Sequence, residues 1–266
     1  MRETYPVVLL ERKAARLRKE TGNTALKSKM ALPYTPFQLF KISIVRPLKL
    51  LVFSPIVLAL STYVAVVYGY LYLLFTTINQ VFSTSYHFSQ GSVGLTYLGI
   101  GIGSLFGVII FGILSDKLLK YLTSKDPKGD QKPEYRLPPL IPGSFLIPIG
   151  LFIYGWTADK GVHWIAPIIG TSFVGFGLLA TFMPIQTYLV DAYTIYAASA
   201  LAANTILRSL VGALLPLAGR AMYQRLGLGW GNSLLGFITL AMCPIPVVFY
   251  RYGERIRKSK RFEVKL

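Results

Sequence analysis

The chain has 266 residues, of which 53% are hydrophobic and only 15% are charged, and its mean hydropathy is +0.51. This composition excludes an ordinary soluble domain and is typical of a chain that lies mostly in lipid. No Asp, Glu, Lys or Arg occurs between Lys49 and Asp116. That stretch is too long for a globular core of this size, but it suits two membrane spans.

Six windows of about 20 apolar residues, separated by polar or Gly/Pro-rich breaks, predict six transmembrane helices. Helices are required rather than strands, because strands of a membrane barrel are about ten residues long and alternate in polarity. The predicted fold class is therefore an all-α integral membrane protein. The predicted spans are residues 51–76, 92–115, 139–157, 163–186, 197–218 and 230–250.

The segments outside these windows are basic. The chain opens with the charged, helix-prone stretch MRETYPVVLLERKAARLRKETGN, and FQLFKISIVRPLKLL follows before the first span. The second stretch mixes basic and apolar residues, as expected of a helix in the headgroup region, although a simple stop before the span explains it equally well. We therefore predict a basic cytoplasmic connector with an interfacial helix at 1–49, a membrane domain at 50–251 and a basic cytoplasmic tail at 252–266.

The distribution of Lys and Arg predicts the orientation. Residues 1–49 hold eleven of them, the link 116–137 holds six and the tail after Tyr250 holds seven, whereas the opposite loops hold three. By the positive-inside rule both termini are cytoplasmic, as an even number of spans requires. The net charge of +17 is thus explained by cations that face anionic lipid, and no motif indicates nucleic-acid binding.

Span two carries glycines at intervals of four, Gly99, Gly103 and Gly107. This spacing lines one face of a helix with the smallest residue, so that face is expected to contact another helix closely. Static packing of the bundle and sliding of helices during transport both explain such a face.

Arg208 is a cation near the middle of span five, where an unpaired charge costs several kcal/mol unless it faces protein or water. A functional role is therefore the default interpretation, and Asn204 lies on the same helix face, four residues earlier. The alternative is a structural role, in which the guanidinium ties neighbouring helices through their carbonyls.

Span one contains the tyrosine-rich stretch YVAVVYGYLYLLFTTINQ. Tyrosine rings can hold amphipathic or cationic organic molecules by stacking and cation–π contact, whereas an outer aromatic belt is the simpler interpretation of Tyr70 and Tyr72. The candidates for a substrate path are Tyr63, Tyr68, Asn79, Asn204 and Arg208.

Charged residues at span ends are candidates for a conformational gate. Asp116 ends span two in GILSDK, and Asp191 lies at the cytoplasmic end of span four. A carboxylate there can accept hydrogen bonds in one conformation and release them in another. The alternative for Asp116 is a solvated charge at a helix end, and the alternative for Asp191 is a helix cap. No carboxylate lies inside a span, so the sequence shows no obvious group for proton coupling.

Nothing in the sequence indicates enzyme chemistry. The chain has no HExxH zinc pair, P-loop or GxSxG elbow, and two isolated histidines with one distant cysteine do not form a metal site. We therefore expect neither a catalytic residue nor a metal or other cofactor.

Several strings resemble the carboxyl-terminal half of fungal major facilitator transporters of the drug:proton antiporter type, which export polyamines and multiple drugs. They include GLTYLGIGIGSLFG, PEYRLPP, PIGLFIYGW, QTYLVDAYTIYAASALAANTILRS and LGWGNSLLGF. The resemblance implies two six-helix halves around a central cavity, alternating access, and two inverted three-helix repeats within each half. GILSDK is similar to a loop signature of the family, which implies gate roles for Gly112, Asp116 and Lys117.

The opening stretch resembles the segment that follows the sixth helix of these transporters, so we expect the amino-terminal half to be missing. Three hypotheses follow. The chain is part of a plasma-membrane exporter of small organic substrates and works with an amino-terminal six-helix half or a second copy. Alternatively, it is a non-transporting membrane interaction protein, or it is an inactive truncated product.

Overall fold

The computed structural model describes residues 6–28, 35–126 and 131–258, and all regular elements within these ranges are helical. Parts of the predicted connector, of the second cytoplasmic link and of the tail lie outside the described residues. The chain divides into two compact units, Met1–Val45 and Arg46–Leu266. The α-helices are α1 (Pro6–Thr21), α2 (Pro36–Phe53), α3 (Pro55–Thr84), α4 (Gln90–Thr96), α5 (Leu98–Lys125), α6 (Leu140–Asp159), α7 (Ile165–Tyr193), α8 (Ala197–Met242) and α9 (Pro244–Arg257).

The first unit contains the charged opening helix α1. Arg18 donates to Glu11 at 2.5 Å along its exposed surface. The helix ends before Gly22, whose φ of 67° is the left-handed conformation that commonly terminates helices. The predicted helix-prone character of this stretch is therefore confirmed.

The start of α3 illustrates how local sequence sets a helix boundary. Ser54 has an extended backbone, and its hydroxyl accepts a hydrogen bond from the Val57 amide at 3.4 Å, while Pro55 occupies the first helical position. The predicted first span began at 51 and ended at 76, whereas the helix runs from Pro55 to Thr84. Both boundaries were wrong because capping at Ser54 and polar helical turns are not visible in a hydropathy window.

The connections between the later helices are shorter than predicted. The link DAYTIYA contains a 3-10 turn, Thr194–Tyr196, that begins at a residue with φ of 30°. The predicted outer loop between spans five and six is almost entirely helical, because α8 continues through it and is interrupted at Gly227, with φ 73° and ψ 177°.

The two parts of α8 fold back on each other at Gly227. Leu215 packs against Gly69 of α3, and the carbonyl of Leu235 accepts a hydrogen bond from the Tyr70 hydroxyl at 3.1 Å. These contacts reach adjacent residues of α3, although a straight helix would separate Leu215 from Leu235 by about 30 Å. The kink at Gly227 therefore reverses the chain.

Four helical stretches of the described chain are long and apolar enough to cross a membrane: Pro55–Thr84, Gln90–Lys125, Pro133–Asp159 and Ile165–Arg257. The last has 93 residues and includes α7, α8 and α9. The membrane assignment is thus confirmed in its coarser form, as an all-α chain with membrane-length apolar helices.

The core of the second unit depends on close approach between α5 and α7. A side chain at Gly103 would overlap the Ser172 carbonyl oxygen, and one at Gly175 would overlap the Ile100 carbonyl oxygen. The predicted glycine face of span two therefore contacts another helix, as expected. In addition, α6 packs against both α7 and α8, and α3 packs against α8.

The outer side of α5 is apolar and exposed, with large side chains at Ile102, Leu105, Phe106, Ile109 and Ile113. A contiguous surface of this kind is rare on soluble proteins and is suited to lipid tails. Together with the spans, it identifies an integral membrane protein.

Candidate functional site

A shallow surface depression that encloses no space of its own lies between α3 and α7, beside α8. We call it the Arg208 depression, because the Arg208 side chain of α8 lies against two of its walls. The guanidinium carbon is 4.4 Å from the centroid of the Tyr68 ring and 5.2 Å from that of Phe182. The residues that line the depression are Val64, Val67, Tyr68, Leu178, Thr181 and Phe182.

The described contacts of Arg208 are aromatic rather than ionic. Cation–π contacts of this length contribute about 0.5–2 kcal/mol each, depending on how dry the site is. The Nε atom is buried and has no hydrogen-bond partner among the described residues. Because a buried N–H without a partner costs about 1–3 kcal/mol, this arrangement leaves donor capacity for a group from outside the described chain.

Asn204 lies one helical turn before Arg208 and is completely buried. Neither its amide oxygen nor its amide nitrogen has a hydrogen-bond partner among the described residues, and the buried hydroxyl of Tyr63 also has none. Two of the predicted substrate-path residues are therefore polar groups inside the helix bundle.

The other predicted substrate-path residues are placed differently. Tyr68 is half-buried and forms one wall of the Arg208 depression, whereas Asn79 is exposed near the end of α3 and does not line it. The outer-belt interpretation of Tyr70 was wrong, because its ring is buried and its hydroxyl donates to Leu235. Tyr72 is 41% exposed, and its ring lies 5.2 Å from that of Tyr68.

A second cluster of polar side chains joins the second half of α5 to the end of α7. Arg136, in the 3-10 turn Pro133–Arg136, donates through a terminal nitrogen to Asp116 of α5 at 2.5 Å and through Nε to Asp191 of α7 at 3.0 Å. We call this arrangement the Arg136 clamp. Burial opposes the positive charge, but the hydrogen bonds to both carboxylates outweigh it and raise the pKa of Arg136.

The partners in the Arg136 clamp are unequally exposed. The side chain of Arg136 is 17% exposed, whereas those of Asp116 and Asp191 are 69% and 38% exposed. Solvated pairs of this kind contribute about 0–1 kcal/mol each. The clamp is therefore weak enough to open without unfolding the helices.

Further ion pairs connect the same turn to α9. Glu134 is 3% exposed and accepts hydrogen bonds from Arg257 at 3.2 and 3.4 Å. Lys132 lies 3.0 Å from Asp126 and 3.4 Å from Glu254, and its hydrogen bond with Asp126 is the main reason that the pKa of Lys132 is raised. The ends of α5, α7 and α9 are thus held by one charged turn.

The predicted gate residues divide into two groups. Asp116 and Asp191 meet at Arg136. Gly112 and Lys117 are exposed, and a side chain at Gly112 would have no atom within 4 Å. Neither of them takes part in the clamp.

The sequence analysis did not select Arg136 and Glu134 as site residues, although PEYRLPP was among the strings that carried the family resemblance. The available signal was charge: basic and acidic residues near span ends on the same predicted side can meet. Phe182 was also missed, since an aromatic residue in an apolar span gives no signal of its own. Among the described residues, no group of three His, Cys, Asp or Glu side chains could hold a metal ion.

Comparison with known proteins agrees with this architecture. The sequence model of the Major Facilitator Superfamily matches residues 6–216. The chain is 62% identical to the MFS-type transporter penM of Penicillium rubens, over 99% of this chain and 52% of that protein. It is 56% identical to the MFS transporter cpaT of Aspergillus oryzae, over 99% and 53%, and 53% identical to the efflux pump radE of Floropilus chiversii, over 100% and 49%.

The chain therefore spans about half the length of the curated relatives that it matches. No solved structure matches it. The family consists of transport proteins, which agrees with the expectation that the chain is not an enzyme. With a family match that covers most of its residues and fungal transporters at more than half identity, this chain belongs to the major facilitator superfamily.

Proposed function

We propose that the chain forms the carboxyl-terminal six-helix bundle of an exporter that moves small organic molecules across the plasma membrane by alternating access. The observation that carries this proposal is the similarity over 99% of the chain to the MFS-type transporter of Penicillium rubens. The relative from Floropilus chiversii is named an efflux pump, which supports the outward direction.

A count of six crossings is supported by the shape of the last helical stretch. Its 93 residues would extend about 140 Å as one helix, whereas a bilayer core is about 30 Å thick. The breaks at Thr194 and Gly227 divide it into three parts, each long enough to cross. Together with α3, α5 and α6 they make six, in two units of three that suit inverted repeats.

The bundle is proposed to work opposite a second one. Arg208 is half-buried and its Nε has no hydrogen-bond partner among the described residues, and lipid offers none. The second bundle supplies a protein surface and encloses the cavity. It is an amino-terminal six-helix bundle, in the same polypeptide or a separate one, or a second copy of this chain. On the positive-inside rule, the basic links support a cytoplasmic location for both ends of this bundle.

The Arg136 clamp is the proposed gate. It joins α5 and α7, which also touch along the glycine face around Gly103. Breaking two solvated ion pairs at the helix ends lets the ends separate at a cost of about 2 kcal/mol or less.

The test is transport by an assembled exporter. The chain is produced in yeast cells that lack their major efflux pumps, together with the amino-terminal half of the penM relative, and cellular accumulation of fluorescent organic dyes is measured. We expect lower accumulation than in cells that contain either half alone. The variant Asp116→Asn is expected to slow efflux severalfold, because one side of the clamp loses its charge.

Lys120→Gln is the matched control, since Lys120 is exposed on the same helix as Asp116 and is not a predicted gate residue. Equal accumulation in all cells, with both halves present in the membrane, would refute the transport proposal. In that outcome, capture of the amino-terminal half by this chain would favour the interaction-protein hypothesis.

A further inference from the structure

We propose that the Arg208 depression recognises an anionic group, and that the exporter selects amphipathic organic anions over cations. This inference rests on the proposed transport function, because it names the substrate class of the same site. It goes against the expectation from the tyrosine-rich wall of span one, which favoured amphipathic or cationic molecules.

The first argument is the charge of Arg208. Its side chain is present in none of the ion pairs among the described residues, and no Asp or Glu occurs inside the predicted spans. A guanidinium remains charged in proteins and offers N–H donors in a planar fork that matches a carboxylate or a phosphate. A substrate anion therefore supplies the counter-charge that this part of the chain lacks.

The second argument is the spare hydrogen-bonding capacity of the guanidinium. Tyr68 and Phe182 place their rings 4.4 and 5.2 Å from its central carbon. These contacts are cation–π interactions, which attract the charge as a whole. The Nε donor has no hydrogen-bond partner among the described residues.

The third argument concerns cations. The ring of Tyr68 that would hold a cationic substrate already faces the cation of Arg208. A second cation at this depression would be repelled in a medium of low dielectric constant, where charges interact more strongly than in water. The site thus discriminates by attraction and by repulsion.

The walls indicate the rest of the ligand. Val64, Val67 and Leu178 are apolar, and the depression is a shallow surface that encloses no space of its own. The charged head of a ligand would therefore rest against these walls beside Arg208, while its larger apolar body lies between the two bundles. An aromatic or aliphatic organic acid has this chemistry.

The experiment compares fluorescein, which is anionic at pH 7.4, with rhodamine 123, which has the same ring framework and is cationic. Binding of each dye to the purified exporter, assembled as described above, is measured by fluorescence polarisation. We expect fluorescein to bind at least tenfold more tightly. Tighter binding of rhodamine 123, or equal binding of both dyes, overturns the proposal without any variant.

Variants then assign the preference to one side chain. Arg208→Gln should weaken fluorescein binding about tenfold, as expected for a lost charged hydrogen bond, and should not weaken rhodamine 123 binding. Arg208→Lys should retain most of the preference for fluorescein. The matched control is Arg220→Gln, which removes an exposed charge from the same helix, and it should leave both affinities unchanged. Equal losses in Arg208→Gln and Arg220→Gln would contradict the assignment.

Transport of the same dyes separates this inference from the proposed function. Efflux of rhodamine 123 but not of fluorescein would leave the transport function standing and refute the anion preference. Fluorescein binding that depends on Arg208, without efflux of either dye, would refute transport and leave the anion site standing.

Discussion

Replacing Gly103 by alanine tests whether the contact between α5 and α7 is as close as described. The new methyl carbon would overlap the carbonyl oxygen of Ser172 and lie 2.9 Å from its α-carbon, whereas ordinary contacts begin at 3.4 Å. Both of these atoms belong to the backbone and cannot rotate away. The helices must therefore separate locally, which costs about 1–3 kcal/mol by analogy with overpacked cores.

Gly101→Ala is the matched control, because Gly101 lies in the same helix, is exposed and would have no atom within 4 Å of an added methyl carbon. Alanine is favoured over glycine by up to about 1 kcal/mol in a helix. This gain applies to both variants, so it cancels when they are compared. The difference in stability between Gly103→Ala and Gly101→Ala should thus be about 1–3 kcal/mol, with Gly103→Ala the less stable.

The assay uses the single cysteine of the chain. Cys243 is buried, so a thiol-reactive fluorescent dye reports unfolding in detergent as the temperature rises. Gly103→Ala should unfold several degrees below Gly101→Ala. If the two variants unfold at the same temperature, the backbones of α5 and α7 are not in contact at this position, and the reasoning is refuted.

Three further predictions concern stability; the first two use the same assay, and the third uses tryptophan fluorescence because thiols react poorly with dyes in acid. Gly227→Ala should lower the free energy of unfolding by about 1–3 kcal/mol, because φ 73° and ψ 177° are accessible to glycine alone. The control Gly94→Ala should not lower it, since an added methyl carbon there has no atom within 4 Å. Equal stability of the two variants would contradict the kink at Gly227. Asp191→Asn should lower the free energy of unfolding by about 1 kcal/mol at most, because the ion pair of Asp191 with Arg136 is partly solvated. The loss should be smaller in high salt, and a loss that does not depend on salt would contradict this prediction. Hydrogen bonds from lysines lower the pKa of Glu254 from 4.5. The ionised carboxylate therefore stabilises the folded chain above about pH 4.5, and this contribution is lost as the pH falls through the lowered pKa. In Glu254→Gln the stability should depend less on pH in that acid range, and an unchanged dependence would contradict the prediction.

The sequence predicted the features that depend on composition and spacing. Apolar windows predicted membrane-length helices, and the glycine spacing around Gly103 predicted a close helix contact. These succeed because lipid requires long apolar helices and because glycine spacing fixes one helical face.

Features that depend on three-dimensional proximity were not predicted. Gly227 reverses α8 within an almost continuous helix, so the polar residues before it were assigned to a loop where the chain is helical. The Arg136 clamp joins residues 20 and 55 positions apart, and a pattern in one sequence does not say which span ends are neighbours. The side chain of Arg208 was identified as unusual, but its aromatic partners were not, since Phe182 comes from a different helix.

The reversal at Gly227 leaves very little irregular chain at that end of the bundle. Tyr223 donates to the Asn232 side chain at 3.0 Å across the turn, and the Gly229 amide donates to Asp159 of α6 at 3.3 Å. Proteases and glycosylating enzymes act on segments that can adopt an extended conformation. Protease sites or glycosylation tags inserted between 223 and 232 should therefore not be cleaved or glycosylated unless the insertion unfolds this hairpin. The absence of cleavage or glycosylation there does not show which side of the membrane the hairpin faces.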